Sequence, residues 1–335
     1  MTWLVCLGEC MIELQEVADP ERPGLMRRSF GGDTLNTAVY LARCLEARGL
    51  EEGGLEGQGV SASSGARVDY VTALGDDPFS AEMMAAWEAE GLGTGLVRRL
   101  EGRRPGLYMI RTDAAGDRAF SYWRTASAAR EVIRAWGAEA LAARLTGCDL
   151  FYFSGISLGI LDAESRDRLL RLAAGVRAEG GRVAFDSNYR PAIWESPAAA
   201  REWSERAYRT ISIALPSFED EAGLHGDASP EATAERLRAL GVEEVVLKRG
   251  PEACLLDYDG GRDWIAAEAI SRPRDTTAAG DSFNAAYLVA RVLGQDPRAA
   301  ARAGSRLAAK VVQAPGAIVP RSVFPGTVRV ARGRA

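Results

Sequence analysis

The sequence predicts an α/β fold with a mostly parallel central sheet, covered by helices on both faces and carrying a small β-sheet appendage. Three observations point there. Apolar runs at Asp149–Ile156, Arg182–Asn188, Ile211–Leu215, and Glu244–Gly250 with Ala253–Tyr258 read as strands, with helical stretches such as Ala163–Glu179 and Pro230–Gly241 between them. Strands that are apolar along their whole length and alternate with helices belong to parallel sheets buried on both faces. The length, 335 residues, suits one large α/β domain with an appendage. Finally, Pro105–Asp113 and Arg118–Arg124 are extended segments around Ala114-Ala115-Gly116, a hairpin lying outside the strand–helix alternation.

The elements follow in order. Trp3–Gly8 is a short apolar run ending in Gly, a buried strand. Met11–Ala18 alternates weakly and leads into turn signals at Asp19-Pro20 and Pro23-Gly24. After Gly31-Gly32, residues Leu35, Ala38, Val39, Ala42 and Leu45 trace one helical face. Two glycines ahead of a helix are by themselves only a turn. Residues 47–67 are rich in Gly, Ser and Glu without periodicity and read as a surface insertion. Asp69–Gly75 is the next strand, and Phe79–Gly91 a helix stopped by Gly91 and Gly93. On the second hairpin strand, Phe120, Tyr122 and Arg124 share a face at period two. Such a face either covers a core or closes over a polar, anionic ligand; Arg124 could equally be a solvated strand residue.

Composition excludes several functions. A net charge of −5 and no basic tract argue against nucleic acid or an anionic membrane surface as partner. No run approaches about 18 apolar residues, so no membrane span is expected, and Met1–Cys10 lacks the basic start and cleavage site of a signal peptide. Five scattered cysteines without a C-x-x-C pair read as reduced core residues of a cytoplasmic protein. A single histidine, His225, leaves little for a histidine triad or a multi-histidine metal site. Any acid–base chemistry therefore falls naturally to a carboxylate. No G-x-x-x-x-G-K-[ST] occurs, which disfavours a P-loop nucleotidase.

One stretch offers that carboxylate. In Asp275-Thr276-Thr277-Ala278-Ala279-Gly280-Asp281-Ser282-Phe283, small turn-forming residues run into a helix whose apolar face is Phe283, Ala286, Tyr287, Ala290 and Leu293. The free N–H groups of its first turn would form an anion site. An Asp there either complements the helix dipole or acts as a base, taking a hydroxyl proton beside a phosphoryl group held by those N–H groups.

These residues resemble the C-terminal signature of the ribokinase-like (PfkB-type) carbohydrate kinases. Further segments fall in the family's order: Leu7–Leu14, Gly31–Ala38, Pro105–Tyr108, Tyr122–Arg124, Phe153–Leu158, Asp186–Pro191 with Trp194, and Lys248–Gly250. The Thr-Thr-Ala-Ala-Gly-Asp variant and Asp-x-Asn-x-Arg-Pro are most similar to members that phosphorylate 2-keto-3-deoxy sugar acids. The resemblance implies a ribokinase-like domain over residues 1–335, with lid strands within 11–30 and 103–125. It implies Asp281 as catalytic base and Ala278, Ala279 and Gly280 as anion hole. Gly32, Asn36, Tyr108, Tyr122, Arg124 and Arg190 would meet the substrate, and Ser187, Asn188, Lys248 and Gly250 the nucleotide. ATP and Mg²⁺ are implied, with room for a monovalent cation such as K⁺, and a homo-oligomer formed through the lid. Where the family carries Asn-x-x-Glu near Mg²⁺, this chain has Ser217 and Asp220, so the metal-linked carboxylate is Asp220 or its neighbour Glu219. Ala278 stands in place of the family's first Gly, so the turn is expected to avoid positive φ there.

Two other readings stay open on sequence alone. One is a family member of different specificity, such as a fructokinase. The other is a non-catalytic sugar sensor on the same scaffold.

Overall fold

The computed structural model describes residues 2–17, 21–22, 24–52, 65–112 and 118–322. The chain opens with β1 (Thr2–Leu7), β2 (Met11–Glu16), β3 (Met26–Gly31) and α1 (Asp33–Glu52). Next come β4 (Ala66–Gly75), α2 (Pro78–Ala89), β5 (Leu92–Gly93), β6 (Val97–Leu100), β7 (Gly106–Thr112) and β8 (Arg118–Trp123). The middle holds α3 (Val132–Trp136), α4 (Ala138–Leu145), β9 (Leu150–Ser154), α5 (Gly155–Gly159), α6 (Ala163–Ala178), β10 (Arg182–Asp186) and α7 (Pro197–Tyr208). The last part runs β11 (Ile213–Ala214), α8 (Phe218–His225), α9 (Pro230–Ala239), β12 (Glu244–Leu247), β13 (Cys254–Tyr258), β14 (Gly261–Ile265), α10 (Ala279–Val292) and α11 (Pro297–Val311).

The large sheet runs β14-β13-β12-β11-β10-β9-β1-β4-β5, with β6 also pairing β4. It is parallel from β12 to β5, and antiparallel only where β13 and β14 turn back at one edge. Side chains alternate across it as a doubly covered strand requires. Leu4, Cys6 and Tyr152 enter one core with α1, α2, α10 and α11. Val5, Leu7, Phe151 and Phe153 enter the other, with helices α3, α4, α6 and α7 among those covering it. The five cysteine thiols are buried and free, as expected.

The smaller sheet, β3-β2-β7-β8, is built from segments within 11–31 and 106–123, so the hairpin prediction holds. Two boundaries differ from the sequence reading. Helix α1 continues through Gly49 to Glu52, and β4 starts at Ala66, so both ends of the expected 47–67 insertion are regular structure. Most of the remainder lies outside the described residues. A single Gly costs a helix interior only about 1 kcal/mol, too little to end it.

Candidate active site

The first turn of α10 lacks the side-chain cap that several other helices of this chain carry, as do the starts of the short helices α3 and α4. Asp77, Asp162, Ser196, Ser217, Ser229 and Asp296 each cap their helix with a side-chain oxygen. Helix α10 has Ala278 at the cap, with no side-chain hydrogen bond. The Ser282 N–H reaches back to the Ala278 carbonyl at 2.9 Å and the Ala279 N–H to Thr276 at 3.2 Å. An uncapped first turn presents N–H groups and the positive end of the helix dipole to an incoming anion. The loop before it is tied down by Asp275, whose carboxylate accepts from the Thr277 N–H (3.0 Å), the Thr277 hydroxyl (2.7 Å) and the Gly316 N–H (2.9 Å).

Ala278 itself corrects the sequence reading. Its φ is 58° and ψ 18°, the left-handed region, one of two such non-glycine residues among those described. The chain keeps the backbone conformation of a Gly there and bears the steric cost of a methyl group, about 1–2 kcal/mol. Burial of Phe283, Tyr287 and Leu288 downstream anchors the helix that imposes it.

Asp281 sits in the first turn of α10, half-buried. Its Oδ2 accepts a 2.8 Å hydrogen bond from the Asn36 amide, and its carbonyl accepts from Thr37 Oγ1 at 3.4 Å. The heads of α1 and α10 are thereby joined. Burial pushes the Asp281 carboxyl up to about 8; the like charges of Asp33 and Asp186 add to this, while the Asn36 hydrogen bond and Lys248 oppose it. A carboxyl tuned close to neutral pH suits a general base.

A polar chain extends from there. Asn188, held at φ 32°, donates from its amide to Asp33 Oδ2 at 2.8 Å, while Asp186 Oδ1 takes the Asn188 N–H at 3.1 Å. Asp186 Oδ2 accepts from Lys248 Nζ at 2.6 Å and from Asn284 Nδ2 at 2.7 Å; Lys248 also donates to Asn284 Oδ1 at 3.0 Å. This fixes the ammonium 3.4 Å from where a Cβ on Gly280 would stand, beside the α10 turn. Gly250 lies two residues on, exposed and at φ 57°. Asp33, Asp186 and Asn284 were not singled out from the sequence. Asn284 is at i+3 from Asp281, a spacing that puts two polar side chains on one helical side and could have flagged it.

The substrate-side residues form a second group. A Cβ at Gly32 would collide with the Glu9 carbonyl, so the glycine permits the close approach of α1 to the end of β1. Tyr108 and Tyr122 stack with ring centroids 5.9 Å apart, and the Arg124 guanidinium lies 6.0 Å from the Tyr122 ring. The shared face of Phe120, Tyr122 and Arg124 is therefore real, although β8 stops at Trp123. Arg124 pairs with Glu9, and the Tyr108 hydroxyl donates to Glu13, which also accepts from Ser29 Oγ at 2.7 Å. Burial, then the Glu13 carboxylate, raise the Tyr108 phenol well above its ordinary range.

Arg190 is exposed; its Nη1 donates to the Tyr189 carbonyl at 2.8 Å and lies 3.6 Å from Asp220 Oδ1. Burial raises the Asp220 carboxyl above its usual range, with Arg190 pulling it down. Glu219, one position earlier on the same helix, is exposed and does not share this contact. Ser187 follows directly on β10 and is buried, 2% exposed. Among the described residues no cluster of three His, Cys, Asp or Glu side chains is close enough to enclose a metal ion, and no helix is long and apolar enough to cross a membrane.

A doubly covered parallel sheet with a separate small sheet, and an acid in the first turn of an uncapped helix, fit a carbohydrate kinase of the ribokinase-like class. Residues 1–323 match the pfkB family carbohydrate kinase model, and the chain belongs to that family. It is 42% identical over 327 residues to the 2-dehydro-3-deoxygluconokinase of Dickeya dadantii, covering 96% of this chain and 98% of that one. The enzyme of the same name from Escherichia coli K12 is 40% identical, over 96% and 98% of the two chains. Among solved structures, the fructokinase of Xylella fastidiosa with bound ATP superposes with a TM-score of 0.77 at 21% identity, covering 97% of each chain.

Proposed function

We propose that this enzyme transfers the γ-phosphoryl group of ATP to the terminal hydroxyl of 2-keto-3-deoxy-D-gluconate, giving 2-keto-3-deoxy-6-phosphogluconate and ADP, a step in sugar-acid catabolism. The observation that carries this reading is the 42% identity, across nearly the whole of both chains, to a relative that bears the matching name. The geometry supports it. Asp281 takes the proton of the attacking hydroxyl. That oxygen forms a bond to the γ-phosphorus as the bond to the bridging oxygen of ADP breaks. The Ala278-Ala279-Gly280 turn holds the transferring group, the role that the uncapped helix start suits. Phosphoryl transfer needs placement and charge neutralisation more than covalent help, and Lys248, fixed beside Gly280, supplies a positive charge on the nucleotide side.

At the other end, Arg124 faces the substrate carboxylate, while Tyr108, Tyr122, Gly32 and Asn36 surround the sugar chain. Arg is suited to paired recognition of a planar carboxylate. Arg190 stands at the phosphoryl end, and Asn188 with Gly250 borders the nucleotide. Mg²⁺, where bound, neutralises phosphate charge. It favours few protein ligands and several waters, which fits a site offering Asp220 rather than a carboxylate cage. We assign Asp220 this role in preference to Glu219. The small sheet, with Phe120, Tyr122 and Trp123 exposed, acts as the lid and pairs with a second copy.

A coupled ADP-release assay over 2-keto-3-deoxygluconate, 2-keto-3-deoxygalactonate, gluconate and fructose tests the reading. Preference for a keto-deoxy acid is expected. Preference for fructose would move the chain to a neutral-sugar specificity.

A further inference from the structure

Glu9 lies at the end of β1, in the segment Leu7-Gly8-Glu9-Cys10, and is 2% exposed. Burying a carboxylate costs several kcal/mol unless it is paired. Its partner is Arg124 Nη2, 115 positions later in sequence, itself 9% exposed. The pairing is incomplete on both sides. Among the described residues, Glu9 Oε1 and Arg124 Nε are buried without a hydrogen-bond partner. Packing explains why Glu9 cannot relax away. Gly106 leaves room for it, since a Cβ there would come within 2.8 Å of Oε1, and the Glu9 carbonyl is pressed against Gly32 at the head of α1. The backbone of Glu9 is therefore fixed against the head of α1 and its carboxylate against the small sheet, with Arg124 as its only ionic partner among the described residues.

We propose that Glu9 is a positioning residue for substrate selection: it holds the Arg124 guanidinium in one orientation, with the remaining N–H donors directed to the carboxylate of the sugar acid. The inference rests on the reading of Arg124 given above. The physical reason is that Arg carries about 2 kcal/mol of rotamer entropy. An arginine fixed before the ligand arrives loses less on binding. With Glu9 on one hydrogen of Nη2 and Nε buried, Nη1 and the second Nη2 hydrogen form the pair that can meet a ligand carboxylate in the two-point geometry arginine provides. The neighbouring pair behaves alike, with Glu13 behind Tyr108. There the phenol hydrogen is already committed, so Tyr108 offers a ligand an acceptor, whereas Arg124 offers donors.

The test is a double-mutant cycle on the full enzyme, with Glu9→Gln, Arg124→Ala and the two combined. Glutamine keeps an acceptor oxygen for Arg124 and removes only the charge. Glu9→Gln is expected to raise KM for 2-keto-3-deoxygluconate about tenfold, the loss of one charge-assisted contact. KM for ATP should stay within about twofold and kcat within about threefold, a split that general loosening of the fold would not produce. In the double variant KM should be no higher than in Arg124→Ala alone, because Glu9 acts through Arg124. Glu9→Asp, which keeps the charge but withdraws it, should show the same split and replaces Glu9→Gln if that variant does not fold. Multiplicative losses in the double variant, or an unchanged KM in both Glu9 variants, would overturn the proposal. Wild-type enzyme that turns over no keto-deoxy acid would instead remove the substrate reading, and this inference with it.

Discussion

The Asn36 amide donates 2.8 Å to Asp281 Oδ2, joining two helix starts that lie 245 residues apart in sequence. This contact orients the carboxylate while leaving Oδ1 free of that bond. It also opposes the rise in proton affinity that burial and Asp33 cause at Asp281. Asn36 Oδ1 is buried without a partner among the described residues, so the amide retains one unused acceptor. In the proposed reading the sugar-side helix α1 and the phosphoryl-side helix α10 thus meet at the base.

Asp281→Asn keeps the shape and removes the proton acceptor. The expected result is a fall in kcat of about 10²–10⁴-fold, with ATP affinity retained because the α10 N–H groups are untouched. Rapid-quench or coupled assays give kcat, and calorimetric titration gives ATP binding. A variant within tenfold of wild-type kcat would exclude Asp281 as base.

The raised Asp281 carboxyl sets a pH profile. Since kcat/KM reports ionisations of the free enzyme, it should climb with pH and level off above about 8. Asp33→Asn removes the like charge that raises the group, so the acid limb should move to lower pH. Stability follows the opposite sign. A folded-state value above the unfolded one favours the protonated fold, so this contribution is present at low pH and is lost as pH rises through about 8. Asp281→Asn should therefore raise Tm more at pH 9 than at pH 5. An acid limb that stays in place in Asp33→Asn would mean that Asp281 is not the group titrating.

Much of this was legible in the sequence, for physical reasons that also mark where legibility stopped. Parallel strands buried on both faces must be apolar throughout, so β9, β10, β12 and β13 stood out. Asp281 and Asn36 belong to helix starts with strong apolar periodicity behind them. Glu9 gave only a single acid after an apolar run, because its meaning lies in Arg124, which no local spacing connects to it. Glu219 and Asp220 differ by about 100° of helix rotation, and the packing of α8 leaves the first exposed and the second half-buried beside Arg190. The burial of Ser187 likewise depends on the layers stacked over β10. Ala278 was misjudged because local preference says Gly for positive φ. The helix that follows imposes the conformation regardless.

That conformation is open to a direct test. Ala278→Gly removes about 1–2 kcal/mol of left-handed strain and returns about 0.4–1 kcal/mol of unfolded-state entropy. A small net gain in stability is expected, roughly 0.5 kcal/mol by denaturant titration, with kcat little changed. Ala278→Val places a β-branched residue where positive φ is an outlier. It should destabilise the fold and lower kcat together by displacing the Ala279 and Gly280 N–H groups. A stable, fully active Ala278→Val enzyme would show that this turn does not need the left-handed residue.

The role proposed for Arg124 is substrate choice. It is buried, paired with Glu9 and adjacent to the Tyr122 ring, so truncation removes a fixed cation rather than a solvated one. Arg124→Ala should raise KM for the sugar acid by about 10–100-fold, since a hydrogen bond to a charged group is worth about 1.5–3 kcal/mol. Part of that loss would come from Glu9, left buried and unpaired where it repels an incoming carboxylate. KM for ATP should barely move, because the proposed nucleotide contacts lie around Asn188 and Lys248. Turnover of fructose, which has no carboxylate, should not fall in parallel. Steady-state kinetics on both substrates settle the matter. Equal losses on acid and neutral sugar would mean that Arg124 holds the small sheet in place and does not read the carboxylate.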